Sequence, residues 1–162
     1  MPTTKSRSAI GKMSRRKGMS YENKICKILS KWSGEQFVRR GVGFSDKDIL
    51  TPEWFGWSIE CKKVEGIRPQ DLLKTFPLSG SLKEYWEQAD SQAKADNKKP
   101  MLVFSKNHEG VDYVVIRRCK AIDLLESNAI PHAVVLAPDK VYYVVVTLQE
   151  LTKLDVELFK CS

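Results

Sequence analysis

The sequence predicts a mixed α/β domain, a central sheet with helices packed on it. Two segments, about 20–33 and 81–97, carry apolar residues at helical spacing. Several short runs rich in valine, isoleucine and aromatic residues read as strands. The two kinds follow one another as α-β-β-β-α-β-β-α-β-β-α, an order that builds a sheet covered by helices.

Taken in order, Ser20 is placed to cap the first helix. Tyr21, Ile25, Ile28, Leu29 and Trp32 form one apolar stripe along it, and Gly34 ends it. "EQFVRR" reads as a strand and "GVGFS" as a glycine-containing turn. "KDIL" is a short extended segment, "TPEW" a turn holding Pro52, and "GWSIECKKV" a strand. Residues 66–80 contain Pro69, Pro77 and Gly80 and predict a loop with a short helix. The second helix puts Leu82, Tyr85, Trp86, Ala89 and Ala93 on one face, with Pro100 as its breaker. "MLVFS" is a buried strand, joined by "KNHEG" to the strand "VDYVVIRR". "CKAIDLLES" is helical, "HAVVLA" and "KVYYVVV" form a hairpin around "PDK", and "TLQELTKLDVELF" is the last helix.

The chain has 162 residues, 42% of them hydrophobic, which suits one soluble domain. No apolar run approaches the ~20 residues of a membrane helix, and the basic start lacks the apolar segment of a secretory signal. A cytoplasmic protein is expected. Cys26, Cys61, Cys119 and Cys161 are widely spaced without a CxxC pair, so they are read as reduced rather than as zinc ligands.

The net charge is +7, and Lys5, Arg7, Lys12, Arg15, Arg16 and Lys17 supply six of it within residues 1–18, which hold no acid. Residues 1–18 are therefore expected to be a basic flexible arm that grips a polyanion, and residues 19–162 a single domain. No GxxxxGK[ST] or GxGxxG motif occurs, so no nucleotide cofactor is expected. His108 and His132 lack partners at triad or metal spacing and are read as structural or surface residues.

The chemistry is carried by acids. Glu22/Lys24, Glu60/Lys62 and Asp96/Lys98 all fit acid-x-Lys, but only Glu60/Lys62 lies on an expected strand. There the period of two puts both side chains on one face, with Ile59 and Cys61 turned the other way. An exposed ion pair is the plain alternative. Asp48 lies twelve residues earlier at a turn into "IL", with Asp46 as its competitor. Glu22 falls at the margin of the first helix's apolar stripe. An inward carboxylate is costly unless its charge is compensated, and a divalent ion is one compensation. Mg²⁺ suits such hard oxygen ligands.

"RKGMSYENKICKIL…FVRRGVGFSDKDIL…WSIECKK" is similar to the PD-(D/E)XK nuclease superfamily, and within it to the archaeal-type Holliday-junction resolvases and their phage relatives. The likeness is strong over residues 15–63 and weaker through "YWEQADSQAKADNKKPMLVFSK". It implies a restriction-endonuclease-like mixed central sheet flanked by helices. Asp48, Glu60 and Lys62 would be the catalytic core, with Glu22 assisting and Asp48, Glu60 and Glu22 holding Mg²⁺, for which Mn²⁺ substitutes. Arg15, Arg16, Lys17, Arg40, Ser45, Gln88 and Lys106 would contact DNA, with Gln92 as the alternative to Gln88. Lys47 stands where the motif's proline usually is, which keeps Asp46 open beside Asp48. The implied partners are branched DNA, a four-way junction, and a second copy in a homodimer. A restriction-type or nicking endonuclease, and a non-catalytic DNA-binding accessory protein, are the rival readings.

Overall fold

A computed structural model describes residues 7–41, 48–66, 81–117 and 120–161. The elements are α1 (Arg7–Ser33), β1 (Val38–Arg39), β2 (Ile49–Leu50), β3 (Trp57–Val64), α2 (Leu82–Ala95) and β4 (Lys99–Lys106). Then follow β5 (Tyr113–Arg117), α3 (Lys120–Ser127), β6 (His132–Leu136), β7 (Tyr142–Thr147), α4 (Leu148–Leu151) and a 3₁₀ turn at Val156–Phe159. The expected loop of residues 66–80 lies outside the described residues from 67 onward, as does Cys119.

The main sheet has the order β3-β4-β5-β7-β6. β3 and β4 are parallel, as their connection through α2 requires, and the remaining pairs are antiparallel. β1 and β2 form a separate antiparallel pair. The mixed sheet between helices is the architecture expected from the sequence.

Side chains alternate across the sheet and bury two cores. On one face Tyr21, Ile25 and Leu29 of α1 pack on Ile59, Cys61, Val103, Val114 and Val144. On the other, Leu82, Trp86 and Ala89 of α2 pack on Leu102, Phe104, Val115 and Tyr143. Trp32, Phe37, Phe55 and Phe159 join edge to face, and the indole of Trp32 donates to the carbonyl of Leu154 at 2.8 Å. This cluster ties the C-terminal turn to α1 and to the start of β3. Gly56 sits under that turn, where an added Cβ would stand 2.9 Å from the Lys160 carbonyl, so only glycine fits.

Three element boundaries differ from those expected. α1 begins at Arg7, and Ser20 is an exposed interior residue rather than a cap. From Arg7 onward the basic stretch has no proline and holds arginine, lysine, alanine and methionine, which favour helix, so it continues the turns that the core stabilises. α2 ends at Ala95, slightly before the expected residue 97. Asp96 caps it, Asn97 turns the chain at φ 53°, and Pro100 enters β4 opposite Ser58. The last helix is two short pieces, because Thr147 and Asp155 each cap a new N-terminus with their side-chain oxygens. Among the described residues no helix is long and apolar enough to cross a membrane.

Candidate active site

β3 is one of the two edges of the main sheet, and β2 packs beside it. Asp48, just before β2, reaches across and accepts the N–H of Cys61 through Oδ2 at 2.9 Å. This bond pins the carboxylate beside the strand that carries Glu60 and Lys62. Ile59 and Cys61 point into the α1-side core, so Glu60 and Lys62 face the α2 side.

Glu60 is not part of an exposed ion pair. It is only 3% exposed, and Lys62 Nζ lies 2.7 Å from its Oε1. Its other oxygen, Oε2, is buried and has no hydrogen-bond donor. Burial and then the negative charge of Asp48 push its pKa from 4.5 up to about 7, against the pull of Lys62. Burial alone would lower the Lys62 ammonium, but Glu60 and Asp48 together hold it above its ordinary value. The ring of Tyr85, from α2, stands 5.4 Å from Lys62 Nζ.

These groups open into a cleft of about 660 Å³. Asp48, Glu60 and Lys62 line one side, and Glu84, Glu87, Gln88, Ser91 and Gln92 of α2 the other. Gln88 and Gln92, the two candidates of that helix, therefore both line the cleft.

Glu22 of α1 stands beside it. Burial and the charge of Asp48 raise its pKa, while Arg39, 3.4 Å away, and Lys62 oppose the rise. The guanidinium at Glu22 is that of Arg39. Phe37 is buried in the core, and the strand period of two puts Arg39 on the same side. That signal was present in "FVRR". The backbone N–H of Arg40 donates to the Asp48 carbonyl at 3.0 Å. Lys106, at the end of β4, pairs with Glu109 at 3.1 Å and does not line the cleft. Arg15, Arg16 and Lys17 are exposed on α1, one to two turns before Glu22. Ser45 and Asp46 lie outside the described residues.

A divalent cation fits this donor set. An orphaned, buried carboxylate oxygen beside a second carboxylate is an unsatisfied anion, which a cation relieves. Among the described residues no group of three or more His, Cys, Asp or Glu side chains is gathered to hold a metal alone. Asp48 and Glu60 would therefore share the ion with water, as suits Mg²⁺.

Comparison with known proteins is consistent with this geometry. The model of a family described as "Phage putative PDDEXK endonuclease" matches residues 13–160. No curated protein and no solved structure matches the chain.

Proposed function

The chain belongs to the phage PDDEXK endonuclease family, and from that premise we propose that it is a Mg²⁺-dependent, structure-selective DNA endonuclease that resolves four-way (Holliday) junctions by paired symmetric nicks. The observation that carries the hydrolytic part is the buried Glu60. One of its oxygens is held by Lys62 and the other is unpaired, with Asp48 adjoining, in an open cleft. The junction preference is supported by the order of Arg16-Lys17-Gly18, Glu22, Asp48, Glu60 and Lys62, which resembles that of junction resolvases.

Asp48 and Glu60 would hold the cation. When bound, a divalent ion supplies positive charge against phosphoryl oxygens and lowers the pKa of water. The remaining work falls to the chain's own groups. The N–H of Cys61 fixes Asp48, and Glu60 fixes the Lys62 ammonium. From there Lys62 stabilises negative charge as it develops on the phosphate, at a site preorganised by burial. Glu22, steadied by Arg39, adds a third carboxylate beside the cleft. The exposed basic turns of α1 hold neighbouring phosphates without reading sequence. A junction has near two-fold symmetry, so two copies related by a C₂ axis would nick it in pairs.

Purified protein incubated with a synthetic four-way junction and with linear duplex tests this reading. Symmetric nicks in the junction are expected with Mg²⁺ and none with EDTA. Equal cutting of linear duplex would assign the chain to the nicking or restriction-type nucleases, and binding without cutting to the accessory proteins.

Deletion of residues 1–15 removes four cations, Lys5, Arg7, Lys12 and Arg15. Junction affinity should fall, and the slope of log K against log salt should flatten by up to about 3.6. An unchanged slope, measured by fluorescence anisotropy, would remove the basic segment from the DNA interface.

Tyr85 positions Lys62 through its ring face. Tyr85→Phe keeps that face, so single-turnover cleavage should stay within about twofold of wild type, while Tyr85→Leu should slow it about 5–30-fold. DNA affinity should stay constant in both. Equal rates in the two variants would deny the ring this role.

A further inference from the structure

We infer that the outer edge of β6 is the surface through which two copies of this chain join, strand to strand, across a two-fold axis. The inference rests on the homodimer reading above and names its interface. β6 ends the sheet, and among the described residues no strand pairs with its outer side. Ala137 donates its N–H to the Val141 carbonyl at 2.9 Å, toward β7. By the strand period, Val135 and Ala133 also face β7, whereas His132, Val134 and Leu136 turn their N–H and C=O groups outward.

Edge strands are normally guarded by charge, proline or a bulge. β6 has none of these within it. From Ala129 to Pro138 no residue carries a formal charge, in a chain where 29% of residues are charged. The side chains beside the open edge are apolar as well. Val134 is 44% exposed, Leu136 51% and Tyr142, Leu136's partner on β7, 42%. All three lie on the α1 side of the sheet, where the neighbouring Val144 and Val146 are already buried. The patch therefore continues a core face past the last strand.

A second copy is the occupant this edge fits. Six of the chain's seven net positive charges lie within residues 1–18, outside this edge, and the edge itself holds no charge, so two copies meet here without like-charge repulsion. Nor does it hold a charge that would select an acidic partner. Antiparallel pairing about Val134 is self-complementary: Val134 meets Val134 of the second copy, and His132 meets Leu136. The three outward residues of each copy would exchange about six backbone hydrogen bonds. Pro131 and Pro138 bound the ladder, and an isologous pair consumes the edge, so assembly stops at two. Each cleft lies on β3, at the opposite edge from β6. The two clefts would then sit at the outer edges of a ten-stranded sheet, on the order of 40 Å apart before twist, each on its own DNA strand.

The test replaces Val134 by cysteine in a full-length chain carrying Cys119→Ser and Cys161→Ser. A hydrogen-bonded antiparallel pair puts the two Cα atoms about 5.5 Å apart, within disulfide range. Mild oxidation should cross-link the Val134→Cys variant into dimers, and the same chain with Val134 retained should stay uncross-linked. Val134→Lys with Leu136→Lys should sediment as a monomer while still nicking one strand at a time, since neither residue belongs to the cleft. A dimer that persists in the double-lysine variant, together with no cross-link in Val134→Cys, would overturn this interface and leave the homodimer standing. A wild-type chain that is monomeric both free and on junction DNA would overturn both.

Discussion

Asp48→Asn and Glu60→Gln should each lower junction cutting by at least about 10³-fold while leaving junction binding within a few-fold of wild type. Both substitutions keep side-chain size and a hydrogen-bonding group, so the Cys61 N–H retains an acceptor at position 48. What they remove is negative charge at the point where the geometry gathers it. Affinity for DNA comes mainly from cationic side chains, which neither change touches. If anything, binding should tighten slightly as repulsion of phosphate declines. Single-turnover cleavage and anisotropy on the same preparations separate the two effects. Cutting that persists in either variant would remove that residue from the reaction.

The second large effect concerns stability. Glu60 keeps its proton up to about pH 7 in the folded chain, against an ordinary value of 4.5. Between those values the folded state binds more protons than the unfolded one, so stability falls as pH rises. The metal-free protein should lose on the order of 2–3 kcal/mol from this group between pH 4.5 and 7, a drop of roughly 5–8 °C in Tm. Glu60→Gln cannot ionise and should lack this slope, so at pH 8 without metal the inactive variant should be more stable than wild type. Mg²⁺ should restore wild-type stability above pH 7 and leave the variant unchanged. Thermal unfolding at several pH values, with Mg²⁺ or EDTA, checks all three statements. A wild-type Tm that rises through this window at the same rate as that of Glu60→Gln would mean that Glu60 is ionised without cost.

These two effects share one origin, a carboxylate that the fold buries and leaves half satisfied. Such a group lowers stability in return for a ready cation site. The sequence made its face legible. Strand alternation in "WSIECKK" turns Glu60 and Lys62 to one side and Ile59 and Cys61 to the other, and the structure has them so. Helical spacing likewise located the buried faces of α1 and α2.

What stayed illegible depended on contacts between distant residues. The bond from the Cys61 N–H to Asp48 involves a backbone group, which no side-chain pattern reveals. The Tyr85 ring over Lys62 follows from how α2 crosses the sheet. The start of α1 was misplaced because Ser20 offers capping chemistry that the continuing helix does not use. The end of α2 falls close to the expected one, and it is Asp96 and Asn97 that set it rather than the proline. That Arg39 is the residue turned toward Glu22 follows from the burial of Phe37 two residues before it, which only the folded chain shows.

Everything proposed for the cleft depends on Asp48 and Glu60 together binding a divalent cation beside Lys62. Titration of Mn²⁺ into the metal-free protein at pH 8, followed by the loss of free Mn²⁺ signal in electron paramagnetic resonance, tests this without requiring activity. Wild type should take up Mn²⁺ saturably, Mg²⁺ should compete, and Glu60→Gln and Asp48→Asn should each lose the site. Equal uptake by wild type and both variants, or no uptake by wild type with junction DNA present, would refute it.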